Sequence, residues 1–218
     1  MNNSIFSIFG ASGFGREVLP LIRSQLTSKQ IENLYFVDDD PIVEEINGIK
    51  VITFNDFVAL DATEKNITIA IADPAIRKAL TERCVAADIN IMSIKADNVI
   101  IMDNVSLGEG SIITPFCTLT SDIKIGLGFH ANLYSYVAHD CEIGDFVTFA
   151  PSVKCNGNVK IENNAYIGTG AIIKQGRPGK PLVIGEGAVV GMGAIVTKNV
   201  AAGDVVFGNP AKSIKSRV

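Results

Sequence analysis

The second half of the chain carries an apolar residue at every sixth position. Each member of this series from Ile101 to Ile173 is apolar, and a second residue, usually small or β-branched, stands four places after each member. A helix repeats every 3.6 residues and a strand every two, so neither element explains a period of six. A triangular coil explains it, because each unit of six makes one short strand and one corner.

Three units close a coil of eighteen residues, so this pattern predicts a parallel β-helix whose inward aliphatic side chains stack along the axis. The series breaks once after Ile173 and resumes at Ile184, Val190 and Val196. The intervening segment holds two prolines and two glycines, so we expect residues 174–183 to leave the coil as an external loop. This loop is either an inert insertion or part of a functional site.

A different pattern, in which strands alternate with helices, occupies the first part of the chain. The strands are predicted at residues 4–9, 34–37 and 67–72, and the helices at residues 16–26 and 75–87. Such alternation with short loops predicts a small Rossmann-like α/β domain with a parallel sheet. We therefore expect a mixed fold with two domains. The first spans residues 1–92, and the second, with the external loop and a C-terminal tail, spans residues 93–218.

Glycine and acidic residues follow the predicted strands of the first domain. Gly10, Gly13 and Gly15 lie between a strand and a helix, where backbone N–H groups and the positive helix end favour a phosphate. The acidic run Asp38–Asp40 follows the second strand, at the edge where open α/β sheets bind ligands. Together they predict a bound nucleotide-sugar without hydride chemistry, with its diphosphate at Ser12–Phe14. Close backbone packing is the alternative explanation for the glycines.

The amino-acid composition limits the kinds of binding partner that we expect. The formal net charge of −4 gives no excess of cations for neutralising phosphates along a nucleic acid, so we expect no nucleic-acid partner. The four cysteines lack metal-site spacing, which predicts reduced thiols in a cytoplasmic protein without a metal. The N-terminal apolar run is too short for a signal peptide or a membrane span, so no membrane partner is expected.

The two histidines are the candidates for acid–base chemistry. Acyl transfer from a thioester to an amine or hydroxyl needs a base whose pKa is near neutrality, and histidine usually supplies it. His139 follows the inward Val137 by two residues, so we expect it near a corner of the coil. Gly157 lies one coil further on and should stack against the imidazole, leaving room for a pantetheine arm. His130 is expected to lie exposed on the surface.

The residues around His139 decide between chemical mechanisms. Asp140 either orients the imidazole or is an exposed corner residue without a catalytic role, and the sequence leaves both interpretations open. Cys141 and Cys155 fall at inward or near-inward positions of the repeat, so we expect no cysteine nucleophile and no acyl-enzyme. Direct attack by the acceptor on the thioester is then the predicted route.

At this point several segments resemble the nucleotide-sugar acetyltransferases of the hexapeptide-repeat superfamily, in the bacterial branch with an N-terminal β-α-β nucleotide-binding domain. The segments are Gly10–Gly15, Phe36–Asp39, Ile69–Asp73 with Arg77, His130–Asp140, Lys154–Asn158 and Gly208–Lys212. The resemblance covers essentially the whole chain and implies a Rossmann-like domain followed by a left-handed parallel β-helix. Members acetylate 4-amino-4,6-dideoxy sugars. Some bacillosamine-pathway members have a histidine where Thr148 stands, so the perosamine or viosamine type is the most similar.

The resemblance also implies substrates and site residues. It implies acetyl-CoA as co-substrate, no metal, a homotrimer, and N-acetylation of GDP-perosamine or a dTDP- or UDP-linked equivalent for surface polysaccharide such as the O-antigen of lipopolysaccharide. His139 would be the base and Asp140 its helper. The implied substrate-binding residues are Ser12, Gly13, Phe14, Asp38, Asp39, Ala72 and Asn132. The implied coenzyme A residues are Gly157, Thr169, Gly191, Met192 and Gly193.

Two other functions remain open at the level of sequence. A sialic-acid-type sugar O-acetyltransferase would use the same base but would not need the acidic cluster. A non-catalytic β-helix, acting as a binding or scaffold protein, would keep its function after His139→Asn. The sequence also leaves the nucleotide and the sugar stereochemistry open, because carboxylates accept hydrogen bonds from uracil, thymine and guanine alike.

Overall fold

The computed structural model of the chain describes residues 3–214 and divides them into two compact units. The first unit runs to Ala72 and includes Ile76–Ile94, and the second contains Asp73–Ala75 and the chain from Lys95 onward. Each unit has its own hydrophobic core. The end of the predicted C-terminal tail, residues 215–218, lies outside the described residues.

The first unit is an α/β domain built on one mainly parallel sheet. Its elements are β1 (Ser4–Phe9), α1 (Gly13–Gln25), α2 (Ser28–Ile31), β2 (Leu34–Val37), β3 (Glu45–Ile46), β4 (Ile49–Ile52), α3 (Phe54–Ala59), β5 (Glu64–Ile69), α4 (Pro74–Ala86) and β6 (Asn90–Ile91). The strand order is β3-β4-β2-β1-β5-β6, and only the β3–β4 pair is antiparallel. The predicted Rossmann-like fold is therefore confirmed.

Some element boundaries of this domain differ from the sequence-based expectation. The predicted third strand was wrong by three residues, because β5 pairs with β1 from Ser4↔Glu64 to Phe9↔Ile69 and ends where β1 ends. Ala72 therefore belongs to the loop after the strand. The sequence pattern also missed the short β3–β4 hairpin and α3, whose first turn is capped by Thr53 through an N–H···O bond of 3.2 Å from Asp56.

The second unit is a parallel β-helix of very short strands. They are β7 (Ile94–Lys95), β8 (Ile100–Ile101), β9 (Val105–Leu107), β10 (Ile112–Ile113), β11 (Thr118–Leu119), β12 (Ile123–Ile125), β13 (His130–Ala131), β14 (Tyr136–Val137), β15 (Glu142–Ile143), β16 (Thr148–Phe149), β17 (Lys154–Cys155), β18 (Val159–Ile161), β19 (Tyr166–Ile167), β20 (Ile172–Ile173), β21 (Leu182–Ile184), β22 (Val189–Val190), β23 (Ile195–Val196), β24 (Val205–Phe207) and β25 (Lys212–Ser213). Strands three apart pair in parallel, eighteen residues apart in most of the helix, as in Val137↔Cys155.

The strands stack into three sheets that enclose one core. The first sheet contains β7, β10, β13, β16, β19, β22, β24 and β25, the second β8, β11, β14, β17, β20 and β23, and the third β9, β12, β15, β18 and β21. The external loop is present as expected, since Ile161 pairs with Ile184 rather than with the residue one regular coil away. We name the corners between the first and second sheets the first corner column, and those between the second and third sheets the second corner column.

The inward series is buried except at its beginning. Val137, Phe149 and Ile173 are fully buried, as the six-residue period predicts. Ile101 is an exception with 37% of its surface exposed, although its register with the buried Leu119 puts it at the predicted inward position. The reason is that β8 is the last strand of its sheet and has a neighbouring coil on one side only.

Candidate active site

His139 lies in the second corner column, between β14 and β15, with about half of its side chain exposed (51%). The following residue, Asp140, adopts the left-handed conformation with φ 56°, which Asp tolerates better than most residues. Its Oδ2 lies 2.6 Å from Nδ1 of His139. Neighbours on a regular strand point to opposite faces, so the left-handed corner is what allows these two side chains to meet. With Nδ1 bonded, Nε2 is the nitrogen left for a substrate.

Gly157 packs directly against the imidazole of His139. A Cβ atom at this position would lie 2.5 Å from Cε1 and 2.6 Å from Nε2 of the ring, which is closer than real Cβ contacts. The next residue, Asn158, donates its N–H to the carbonyl of His139 at 2.9 Å. The stacking expected from the eighteen-residue coil is present. However, the space that the sequence assigns to a pantetheine arm is filled by the imidazole itself.

Two polar side chains beside this corner were missed by the sequence analysis. The hydroxyl of Tyr136 donates to Oδ1 of Asn156 at 2.9 Å, and Nδ2 of Asn156 donates to the carbonyl of Ile173 at 2.8 Å. Burial raises the pKa of Tyr136, with a smaller contribution from Cys155, so the phenol remains a neutral hydrogen-bond donor. These hydrogen bonds hold the outer surface next to His139 in place. The stacking of neighbouring coils could have predicted them, because it brings Tyr136 and Asn156 side by side.

The thiols close to His139 face the core. Cys141 and Cys155 are both buried, with exposed fractions of 1% and 0%. The hydrogen bond with the Cys141 thiol and burial together raise the pKa of Cys155 well above its ordinary value. The same hydrogen bond lowers the pKa of Cys141, but this thiol is buried in the core and a substrate cannot reach it. The geometry therefore favours His139 rather than a cysteine as the reactive group.

The other histidine, His130, is not exposed on the surface, so the expectation of a surface position was wrong. His130 is only 2% exposed. On the first sheet it stands in register between Ile112 and Thr148, and both of these residues are buried as well. This part of the sheet's outer face is covered, so an outward side chain here is still withdrawn from solvent.

The remaining predicted β-helix residues lie in the first corner column. The N–H of Gly193 donates to the carbonyl of Thr169 at 2.8 Å, so their two corners stack. Gly191 is buried beneath the ring of Phe207, and the exposed surface of its corner is formed by Met192 and Gly193. The coenzyme A residues expected from the sequence therefore divide between two edges of one chain, with Gly157 at the other edge.

Asn132 also lies in the first corner column, at the corner that follows β13. Its Oδ1 accepts the N–H of Leu133 at 2.8 Å and the hydroxyl of Thr114 at 3.4 Å. The strand β14 separates this corner from that of His139 in the same coil. The structure therefore does not bring Asn132 and His139 together within one chain.

In the α/β domain, the predicted phosphate site is the start of α1. Ser12 is its N-cap residue and makes no side-chain capping bond, and no acidic residue occupies the first turn. The first N–H groups of a helix have no partner within it, and they carry partial positive charge. A Cβ at Gly15 would collide with the carbonyl of Gly10, so close packing explains these two glycines. Gly13 has open space around it and is exposed.

The acidic cluster of this domain is partly engaged by neighbouring groups. Asp38 accepts the N–H of Ala11 at 3.3 Å and that of Asp40 at 3.1 Å, which ties the loop after β1 to the loop after β2. Asp39 forms an ion pair with Arg83 at 2.6 Å. Each carboxylate keeps lone pairs for a further donor.

The loop after β5 is held by a buried arginine. Nη1 of Arg77 donates to the carbonyls of Ile71 and Ala72 at 2.7 and 3.1 Å, and the side chain is only 1% exposed. Because β1, β2 and β5 are parallel neighbours, the loops carrying Ser12, Asp38 and Ala72 all lie at the carboxyl edge of one sheet. The structure brings these three predicted positions to the same edge.

Within residues 3–214, His, Cys, Asp and Glu nowhere form a group of three or more suited to a metal ion. Among the helices that the structure describes, none combines the length and apolarity needed to cross a membrane.

Comparison with known proteins extends over both units. Residues 6–84 match the PglD N-terminal domain. The chain is 47% identical to GDP-perosamine N-acetyltransferase of Escherichia coli O157:H7, over 97% of each chain. It superposes on WeeI from Acinetobacter baumannii AYE with a TM-score of 0.95 and 52% identity, covering 97% of this chain and 100% of that one.

A third similarity brings in the co-substrate. The acetyltransferase domain of PglB from Neisseria gonorrhoeae FA1090, in complex with acetyl coenzyme A, matches with a TM-score of 0.86 and 26% identity, covering 98% of this chain and 100% of that one. High identity over nearly the full length of both chains accompanies the same two-unit fold. The chain therefore belongs to the family of bacterial nucleotide-sugar N-acetyltransferases.

Proposed function

We propose that the protein transfers the acetyl group of acetyl-CoA to the 4-amino group of a nucleotide-linked 4-amino-4,6-dideoxy sugar, with GDP-perosamine as the first candidate and His139 as general base. The observation that carries the proposal is the imidazole held between Asp140 and Gly157 at an exposed corner. The 47% identity to an enzyme named for GDP-perosamine supports this acceptor.

The proposed reaction needs no covalent enzyme intermediate. Nδ1–H of His139 would donate its hydrogen bond to the Asp140 carboxylate, which leaves the lone pair of Nε2 to accept a proton from the attacking amine. The amine nitrogen bonds to the acetyl carbonyl carbon, and the carbonyl becomes an oxyanion. When that intermediate collapses, the carbon–sulfur bond breaks and the imidazolium returns its proton to the coenzyme A thiolate. Gly157 keeps the ring in place throughout.

We assign the nucleotide end of the acceptor to the α/β domain. The N–H groups at the start of α1, at Ser12, Gly13 and Phe14, would bind the diphosphate, since they carry partial positive charge. Asp38 and Asp39 would accept hydrogen bonds from the base, and guanine offers two adjacent donors to a carboxylate. Ala72, fixed by Arg77, would line the same sheet edge.

We further propose that a homotrimer completes the site. Within one chain, Asn132, Thr169, Met192 and Gly193 lie in the first corner column, whereas His139 lies in the second. A ring of three copies would place the first column of each chain against the second column of the next. Analytical ultracentrifugation should give the mass of three chains, and a fully active monomer would contradict this arrangement.

The product would be a nucleotide-linked N-acetylated sugar, the kind of donor that glycosyltransferases use to build surface polysaccharides such as O-antigen. We place this step in the cytoplasm, where acetyl-CoA is produced. A sugar hydroxyl is the alternative acceptor, as in a sialic-acid-type O-acetyltransferase, and the assay below separates the two.

A thiol-release assay with acetyl-CoA tests the acceptor. The panel should contain GDP-, UDP- and dTDP-linked 4-amino-4,6-dideoxy sugars and their 4-hydroxy counterparts, together with sialic acid. We expect the highest kcat/KM with GDP-perosamine and no thiol release with the hydroxy sugars. Thiol release with sialic acid alone, or with none of these acceptors, would overturn the proposed function.

A further inference from the structure

Asn156, the residue before Gly157, has each of its polar groups bonded to a neighbour. Its Oδ1 accepts the hydroxyl of Tyr136 at 2.9 Å, and its Nδ2 donates to the carbonyl of Ile173 at 2.8 Å. Its backbone N–H donates to the same carbonyl at 3.4 Å, and its own carbonyl accepts the thiol of Cys141 at 3.3 Å. These bonds fix the orientation of the amide and, with it, the start of the corner that carries Gly157.

Two hydrogen bonds between neighbouring coils flank Gly157. On one side the hydroxyl of Tyr136, in the coil of His139, reaches Asn156 in the next coil. On the other side the N–H of Asn158 donates to the carbonyl of His139 at 2.9 Å. Between them the Gly157 backbone contacts the imidazole so closely that a methyl group would not fit. The spacing of the two coils at this corner therefore decides where the imidazole lies.

The tyrosine ring is itself restrained on the outer face of the second sheet. Tyr136 and Lys154 are register partners in β14 and β17, and Nζ of Lys154 lies 5.3 Å from the centre of the tyrosine ring. The same ammonium group donates to the carbonyl of Tyr134 at 3.4 Å. The attraction between the cation and the ring helps to keep the hydroxyl of Tyr136 on Asn156.

We propose that Tyr136 and Asn156 are positioning residues of the acetyl transfer, a proposal that rests on the proposed function. Their hydrogen bond sets the spacing of the two coils beside His139, and the contact with Gly157 transmits this spacing to the imidazole. The ring then keeps Nδ1 on Asp140, 2.6 Å away, and leaves Nε2 for the acceptor amine. A displacement of about 1 Å can cost on the order of a hundredfold in rate, so a bond that touches no reacting atom affects kcat.

Steady-state kinetics of Tyr136→Phe test this hydrogen bond, because the substitution removes only the hydroxyl. We expect kcat to fall on the order of tenfold, the effect of losing one hydrogen bond, while the KM values for acetyl-CoA and the nucleotide-sugar stay unchanged. Asn156→Ala should lower kcat further, because it also removes the bond to Ile173. An unchanged kcat in Tyr136→Phe would overturn the inference.

The matched control is Tyr166→Phe. Tyr166 is half-buried and begins the two-residue strand β19, as Tyr136 begins β14. It belongs to the first sheet and lies in neither the coil of His139 nor that of Gly157, so its variant should keep the kcat of the parent protein. Equal losses of kcat in the two variants would overturn the positioning role.

A double-mutant cycle with His139→Asn separates positioning from a general structural effect. If Tyr136 acts through the imidazole, Tyr136→Phe should lower kcat in the parent protein but not in the protein that already carries His139→Asn. A loss by the same factor in both backgrounds would mean that the tyrosine acts independently of His139, and this result would contradict the proposal.

Nuclear magnetic resonance of the histidine ring nitrogens distinguishes this inference from the proposed function, because it requires no turnover. The chain has two histidines, so the signals of His139 are identified by their loss in His139→Asn. In the neutral imidazole of the parent protein we expect the proton on Nδ1. Tyr136→Phe should increase the fraction with the proton on Nε2, because a ring released from Asp140 is no longer held in one tautomer.

The two proposals then fail separately. If no acceptor is acetylated, the proposed function fails, but the change of tautomer in Tyr136→Phe should still be observed. An unchanged tautomer in Tyr136→Phe, together with normal turnover by the parent protein, would overturn the positioning role and leave the proposed function intact.

Discussion

The two units of the protein bring their functional residues together in different ways. In the β-helix, His139 and Gly157 meet because the backbone repeats every eighteen residues. In the α/β domain, Ser12, Asp38 and Ala72 reach one sheet edge only because three strands end there. The first arrangement follows from counting along the sequence, whereas the second depends on where each strand begins and ends.

This difference suggests a division of labour that experiments can test. The β-helix holds the only exposed histidine among the described residues, so changes at the His139 corner should act mainly on kcat. The α/β domain holds the residues assigned to the nucleotide, so changes there should act mainly on the KM for the nucleotide-sugar. Finding the same kinetic effect in both units would remove the distinction.

The largest effect is expected for His139→Asn in the β-helix. Loss of a general base typically costs on the order of a hundredfold to ten-thousandfold in rate, so kcat should fall within that range. Both KM values and the melting temperature should stay close to the parent values, because the side chain is half exposed. Thiol-release kinetics check this, and a variant with kcat similar to the parent would exclude His139 as the base.

A smaller loss of kcat is expected for Gly157→Ala. The added Cβ would lie 2.5–2.6 Å from the imidazole, so the ring must turn away from the position that Asp140 gives it. A displaced catalytic group costs on the order of a hundredfold, and we expect a loss of about tenfold to a hundredfold in kcat.

The control for this substitution is Gly187→Ala elsewhere in the β-helix. Gly187 has φ 62° and open space around it, so an added methyl group strains the backbone without touching a neighbour. The substitution should cost about 1 kcal/mol of stability and leave kcat unchanged. Thermal unfolding and thiol release together check both variants, and full activity in Gly157→Ala would show that ring placement does not matter.

In the α/β domain, Asp38→Asn should raise the KM for the nucleotide-sugar by about tenfold, because a charged acceptor of a hydrogen bond from the base becomes neutral. The KM for acetyl-CoA and kcat should not change. Asp61→Asn is the matched control, since Asp61 is exposed and accepts a hydrogen bond from the Asn3 side chain through its backbone carbonyl. A fall in kcat without a change in KM would contradict the assignment of Asp38 to the nucleotide.

The smallest effect is expected from modification of the thiols in either unit. Burial raises the pKa of Cys84 to about 12, outweighing the lowering by Arg83, so this thiol stays protonated at pH 8. All four cysteines are buried. Iodoacetamide at pH 8 should therefore leave thiol-release activity unchanged, with mass spectrometry counting the modified sites. Rapid inactivation that acetyl-CoA prevents would favour a cysteine nucleophile instead.

The β-helix could be predicted from the sequence because its core repeats at a fixed interval. The series from Ile113 to Ile173 is buried as expected, and Ile101 is exposed because the stack ends there. The contact between His139 and Asp140 could not be predicted from the repeat, because it depends on the left-handed conformation of Asp140. Burial of His130 also depends on what covers the sheet, which a six-residue period does not describe.

The α/β domain could be predicted only in outline. The alternation of strands and helices indicated the fold, but the end of β5 is set by its pairing with β1, and the hairpin β3–β4 has too few residues for a periodic signal. The buried Arg77 carries no sequence signal of its own role, since its partners are backbone carbonyls. Ion pairing of Asp39 with Arg83 joins residues far apart in the chain and likewise has no local pattern.

The most direct measurement is a crystal structure of the protein with coenzyme A and a GDP-linked 4-amino-4,6-dideoxy sugar, which cannot react because the acetyl group is absent. We expect the sugar amine within hydrogen-bond distance of Nε2 of His139, with Nδ1 still bonded to Asp140. An amine that lies away from His139 and against another base would contradict direct transfer at this corner.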